Sequence, residues 1–180
     1  MVTLHKVVEF ILNSETVQAH VPAGMLALDY LRQHKNLTGT KSGCKEGDCG
    51  ACSVIIGELK KDSIEYRPMT SCLLPMGELH GKHLVTIEGL NMEHLSAVQN
   101  AMVDCGGTQC GYCTPGFVVC MTAGLMAPQV PLNEEGVLYA ISGNLCRCTG
   151  YQSIKDAGFQ AIQSLRDQLI NKERIKALVE

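Results

Sequence analysis

The sequence has no run of lysine and arginine, and its 15 basic residues against 18 acidic ones leave a formal net charge of −3. A nucleic-acid surface needs a clustered positive footprint, so nucleic acid is not expected as a partner. No stretch approaches the roughly 18 consecutive apolar residues of a membrane span. The opening MVTLHKVVEFILNSETVQAHV also lacks the basic start, apolar core and small-residue cleavage site of a secretory leader. A soluble, cytoplasmic protein is the expectation. Gly-x-Ser-x-Gly, the Walker loop and the dinucleotide fingerprint are absent as well.

What the chain does have is cysteine, ten in 180 residues. Cys44, Cys49 and Cys52, with Cys72 downstream, have the C-x4-C-x2-C…C spacing of a plant-type ferredoxin. Cys110 and Cys113, with the close pair Cys146 and Cys148, make a second set of four. Eight thiolates suit two four-thiolate 2Fe-2S clusters, which would also tie distant segments together in small domains with thin cores. A disulfide scaffold fits less well, because it expects a signal peptide and loop-rich domains. Zinc is the other rival, since C-x2-C pairs also serve that metal. The six histidines, at 5, 20, 34, 80, 83 and 94, show no ligand-like pairing near the cysteines, so a Rieske-type centre is not expected.

The first cysteine set lies in GTKSGCKEGDCG, residues 39 to 50, whose four glycines exclude regular helix or strand. A ligated cluster is anionic and needs backbone N–H donors close to its sulfurs. Gly43, Gly47 and Gly50 allow positive φ and a close approach with no Cβ in the way. Glu46 and Asp48 in the same loop should face outward, away from that negative charge, as solvated acids or toward a partner.

The second set leaves one ambiguity. Cys105, Cys110 and Cys113 also read C-x4-C-x2-C, so spacing alone admits Cys105 as a ligand. That choice leaves Cys146 or Cys148 idle, whereas Cys110 and Cys113 with both members of Cys146-Arg147-Cys148 draw four ligands from two loops. Cys120, in the apolar run GFVVCMTAGLM, reads as a small buried hydrophobe, and Met121 and Met126 read as core filler. Arg147 should face away from the metal, toward an acid or a partner.

With 180 residues the chain can form one medium domain or two small ones of roughly 80 to 90 residues each. Residues 4 to 12 and 16 to 21 read as a hairpin joined by Asn13-Ser14-Glu15. Met25, Leu28 and Leu31 then mark a short helix ending before Gly39. CSVIIGEL, from Cys52 to Leu59, reads as a buried strand that turns at Lys60-Lys61-Asp62 and returns over 64 to 70. HLVTIEGL, from His83 to Leu90, reads as the last strand. Beyond it the periodicity becomes helical, over 95 to 104, 114 to 127, 133 to 142 and 153 to 177, with caps expected at Thr114-Pro115, Asn133 and Ser153. The charged stretch from Asn171 reads as a solvated tail or a partner-docking helix. The expected fold class is α+β, with a β-grasp domain over 1–85 and an all-α four-helix domain over 86–180.

The segments CKEGDCGACSV, TQCGYCTPGF and GNLCRCTGY together resemble the iron–sulfur subunit of the molybdenum hydroxylases, the xanthine dehydrogenase and aldehyde oxidoreductase family. The resemblance covers residues 1 to 165. It implies a ferredoxin-like 2Fe-2S domain with ligands Cys44, Cys49, Cys52 and Cys72. It implies a second 2Fe-2S cluster on a helical domain through Cys110, Cys113, Cys146 and Cys148, which excludes Cys105. It further implies that Gln109 hydrogen-bonds a molybdopterin held by a partner, that Cys148 touches the pterin edge, and that FAD lies beyond the first cluster. EGDCGACSVIIGEL and HLVTIEGL look most like the xanthine dehydrogenase branch. The chain stops at Glu180, so a large molybdopterin-binding subunit and an FAD-binding subunit are expected as separate polypeptides. The expected role is electron transfer with no substrate site in this chain; a stand-alone two-cluster shuttle, or a small subunit for an aldehyde, carbon monoxide or N-heterocycle substrate, is the alternative.

Overall fold

Strict alternation shapes the first strand. In the computed structural model, which describes residues 7–61, 63–90 and 93–179 and side chains through residue 165, β1 (Val8–Leu12) turns Val8, Phe10 and Leu12 inward. It pairs antiparallel with β2 (Glu15–Ala19), Leu12 facing Glu15. The turn is therefore Asn13-Ser14, with Asn13 at φ 56, and Glu15 already belongs to the strand. Asparagine tolerates this left-handed backbone, which lets two residues reverse the chain. The part of the expected strand at residues 4 to 6 lies outside the described residues.

The helix expected after the hairpin is shorter than the apolar spacing suggests. It comprises α1 (Ala27–Asp29) and a wider π-type turn over Tyr30–His34, leaving Met25 outside. Tyr30 and Leu31 from this segment pack with Phe10, Val54, Ile56, Met76, Leu79 and Leu84 in one core.

The remaining strands are β3 (Ser53–Lys60), β4 (Ser63–Thr70) and β5 (His83–Val85), giving the sheet order β2-β1-β5-β3-β4 with β1 and β5 parallel. A mixed sheet with a helix across it is the expected β-grasp. The first five residues of β3 are all buried because both faces are covered. Val54 and Ile56 join the sheet core, while Ile55 packs on Val119 and Ala123 of the helical half.

The last strand ends five residues earlier than HLVTIEGL suggests. After Val85 the chain winds into a 3-10 turn over Ile87–Leu90. Asn13 is the cause: its Oδ1 accepts the Thr86 N–H at 2.9 Å, in place of a strand neighbour. Thr86 Oγ1 also donates to Glu88 Oε2 at 2.6 Å, which curls the segment back on itself.

Four helices follow: α2 (Ala97–Asp104), α3 (Thr114–Met126), α4 (Glu134–Ile141) and α5 (Gln152–Val179). Ser96 and Gln99 form a reciprocal capping box at α2. Pro115 sits in the first turn of α3, and Asn133 Oδ1 accepts from Gly136 N at 3.0 Å at the start of α4. Ser153, expected as a cap, lies inside α5. α3 is apolar on every side because one face meets β3 and the other packs with α2, α4 and α5 in a second core built around Phe117, Met121, Val137 and Ile154. α5 continues through the charged stretch, but the side chains there, and hence any docking face, lie outside the described residues. Among the described residues no helix is long and apolar enough to cross a membrane.

Candidate metal centres

The first centre is built by the glycine-rich loop after α1 and a 3-10 turn after β4. Cys72 enters on that turn, Ser71–Leu73, which is fastened to the loop where Ser71 Oγ and Ser71 N both donate to Cys52 O, at 2.7 and 3.2 Å. The Cys52 and Cys72 thiols hydrogen-bond to each other and are buried with Leu28. Cys44 and Cys49 form the other pair: the Cys44 N–H donates to Cys49 Sγ, and the Glu46 N–H donates to Cys44 Sγ, both at 3.4 Å. Those donors have an electrostatic effect. The backbone N–H of Glu46, helped by Cys49, lowers the Cys44 thiol to about 7, whereas burial, then Cys52, raises Cys72 to about 11.

Two glycines here have a geometric reason. A Cβ on Gly43 would lie 2.6 Å from Cys49 Sγ, and Gly47, at φ +86, would meet Leu73 Cδ1 at 2.6 Å. Gly47 also turns its N–H onto Cys72. Glu46 and Asp48 are exposed, as an anionic centre would require.

The second centre joins the loop between α2 and α3 to the loop between α4 and α5. Cys113 sits at the N-terminal boundary of α3, and its thiol hydrogen-bonds Cys146. Cys110 and Cys148 form the outer pair, hydrogen-bonded to each other and both exposed. Thr149 Oγ1 donates to Cys146 Sγ at 3.1 Å, and the Cys146 N–H donates to the Tyr151 hydroxyl at 2.9 Å. Burial, then Cys146, raises Cys113 to about 12. For Cys146 burial acts upward too, but the Thr149 hydroxyl and the backbone N–H groups of Thr149 and Cys148 outweigh it and bring the thiol to about 7.

Each set of four is thus arranged as two thiol pairs, with backbone N–H donors at the first centre and the Thr149 hydroxyl beside backbone donors at the second. Among the described residues no three His, Cys, Asp or Glu side chains close on one point, as a single ion requires. Four soft sulfur donors with inward N–H groups and a wall with no room for a Cβ suit a 2Fe-2S cluster at the first centre, and four thiols with the Thr149 hydroxyl and backbone N–H donors suit one at the second.

The remaining candidates are dispersed. Cys105 points its thiol at Gln160 Oε1, 3.1 Å away, and Gln160 is itself held by Asp104 at 2.9 Å. Cys120 is buried beside Ser53 and Asn144, where the two halves meet. Gln109 and Arg147 are exposed at the rim of the second centre.

Sequence reasoning missed how closely the centres are joined. Leu145 N donates to Cys49 O at 3.0 Å, Asn144 Nδ2 to Gly50 O at 3.1 Å, and the Tyr112 hydroxyl to Ser42 O at 2.8 Å. Gly116 of α3 lies against the Gly50 carbonyl, where a Cβ would collide. The acceptors are all backbone carbonyls, so no residue type advertises the contact.

A 2Fe-2S iron–sulfur cluster binding domain family matches residues 10–76, and a [2Fe-2S] binding domain family matches residues 86–158. The xanthine dehydrogenase of Blastobotrys adeninivorans is 42% identical over 147 residues, 79% of this chain and 10% of its own length. Aldehyde oxidase 1 of Cavia porcellus is 42% identical over 154 residues, 83% of this chain and 12% of its own length. The chain thus spans about a tenth of the curated relatives it matches. Among solved structures, aldehyde oxidoreductase from Desulfovibrio gigas superposes with a TM-score of 0.78 at 35% identity, covering 91% of this chain and 17% of that one. A chain of quinoline 2-oxidoreductase from Pseudomonas putida 86 superposes with a TM-score of 0.77 at 33% identity, covering 90% of this chain and 96% of that one. With both 2Fe-2S domains present in order and that chain matched almost end to end, the protein belongs to the iron–sulfur family of the molybdenum hydroxylases.

Proposed function

We propose that this chain is the electron-transfer part of a xanthine dehydrogenase-like molybdenum hydroxylase, relaying electrons from a molybdopterin centre in a large partner subunit to FAD in another. The observation that carries the reading is the backbone bond from Leu145 N to Cys49 O. It joins the residue before Cys146 to Cys49, so the two thiol sets lie on one short connected path. Cys44, Cys49, Cys52 and Cys72 are assigned to one cluster, and Cys110, Cys113, Cys146 and Cys148 to the other, with the domains meeting near residues 85 and 86. Such clusters, when bound, supply one-electron redox chemistry.

The chain's own residues give the two sites different tasks. Cys52 and Cys72 are buried with Leu28, which shields that side of the first site from water. Cys110 and Cys148 are exposed beside Gln109, which leaves the outer edge of the second site free for a partner. Gln109 is assigned to a hydrogen bond with the pterin and Cys148 to contact with its amino edge. Separate subunits are supported by the Pseudomonas chain, which this chain matches over 96% of its length.

Affinity purification of the full-length chain from its own host tests the proposal. The expected preparation is coloured, carries iron and labile sulfide, and brings with it molybdenum, FAD and two further polypeptides. An iron-loaded chain that stays soluble with neither partner favours a stand-alone shuttle, and a colourless, zinc-filled chain made with iron and sulfide at hand defeats both readings.

A further inference from the structure

The loops around the two centres are joined by three cross-loop hydrogen bonds. Two come from the Asn144-Leu145 segment; the third is the Tyr112 hydroxyl on Ser42 O, at 2.8 Å. Tyr112 stands between Cys110 and Cys113, and Gly111, at φ +82, reverses the chain just before it. Its side chain is 50% exposed, so burial of the ring does not explain a tyrosine here; its hydroxyl is what is engaged. The acceptor is also specific. Ser42 precedes Gly43, whose missing Cβ makes room for Cys49 Sγ, and the next N–H, that of Cys44, donates to the same sulfur.

We infer that Tyr112 is a positioning residue: its hydroxyl latches the Cys110–Cys113 loop to the wall of the first centre and so sets the geometry between the two clusters. This rests on the proposed ligand assignments. Without the latch the 144–145 bonds still hold one loop of the second centre, but the loop carrying Cys110 and Gln109 loses its tie to the first.

The test uses the full-length, iron-loaded chain with Tyr112→Phe, which removes one oxygen, and Tyr112→Ala, which removes the ring. Amide exchange over residues 42–44 and 111–113 should quicken about 2- to 12-fold in both, as expected for one lost hydrogen bond. Both variants should keep four irons per chain, as two 2Fe-2S domains require. In the dithionite-reduced protein at low temperature, each cluster's own electron paramagnetic resonance pattern should persist. The mutual splitting of the two spins, which depends steeply on their separation and orientation, should change. Unchanged exchange and splitting in Tyr112→Phe would overturn the latch, as would a change seen only in Tyr112→Ala, which would credit the ring instead. If the unaltered chain shows no pair of clusters, the proposed function fails, while the exchange rates still decide whether the latch exists.

Discussion

Gly116→Ala sets two physical effects against each other. Gly116 is the third residue of α3, where alanine would favour the helix by up to about 1 kcal/mol. Its Cβ, however, would strike the Gly50 carbonyl oxygen and come within 3.2 Å of the Gly50 carbon and 3.1 Å of Asn144 Nδ2. A backbone carbonyl cannot rotate away as a side chain can. Relief must come from moving α3 or residues 49–52, and the same oxygen accepts from Ser53 Oγ at 2.7 Å and from Asn144 Nδ2 at 3.1 Å. Overpacking against such a site costs about 3 kcal/mol, the upper end of the usual range, leaving roughly 2 kcal/mol net destabilisation after the helix gain. Unfolding of a cluster protein is effectively irreversible, so the readout is a rate, the bleaching of visible absorbance in a fixed urea concentration. If the full loss falls on the unfolding barrier, bleaching should run about 30-fold faster than in the unaltered chain. A rate equal to or slower than that of the unaltered chain would show that the close approach of α3 to the cluster loop constrains nothing.

Other expectations follow from the same geometry. Cys105→Ser replaces a thiol that faces Gln160, so four irons and four labile sulfides per chain should remain; loss of one cluster would restore Cys105 as a ligand. Gln109→Ala should leave both cluster spectra intact yet slow electron entry from the molybdenum centre of the assembled enzyme by about 2- to 12-fold, the scale of one lost hydrogen bond, and an unchanged rate would remove its pterin-facing role. On assembly with partners, the potential of the second centre should move more than that of the first, because Cys110 and Cys148 are exposed whereas Cys52 and Cys72 are buried. A larger shift at the first centre, followed by potentiometric titration, would reverse that assignment.

The legible features of this chain are those decided within a few residues. The alternation of β1, the proline of α3 and the glycine-rich cysteine loop all act locally, and the structure has each of them. β5 ends earlier than its apolar run suggests because its end is set by Asn13, some 70 residues away, whose side chain replaces a strand neighbour at Thr86. Ser96-x-x-Gln99 was a readable cap that periodicity alone passed over. Ser153 failed for the opposite reason: a good capping residue lies one position inside a helix that begins at Gln152. The joints between the two centres were invisible because Tyr112, Asn144 and Leu145 all donate to carbonyls, which every residue carries.

The two sets of thiols are alike in number but not in surroundings, and that difference orders them. Within the second set, Cys113 and Cys146 form the inner pair, and the chain leading into Cys146 is the one bonded to Cys49. Cys110 and Cys148 form the outer pair, on the surface. A partner centre beside the outer pair would need no reorganisation of this chain to come close, whereas direct approach to Cys52 or Cys72 would require displacing Leu28 and the turn at Ser71. Cys44 and Cys49 are only half-buried, and the exposed acids Glu46 and Asp48 lie between them. An acceptor for the first centre would therefore approach over this acidic rim. An uncovered edge at one end, a hydrogen-bonded joint in the middle and an acid-rimmed loop at the other fit the proposed relay, in which electrons would enter at the helical centre and leave at the ferredoxin-like one.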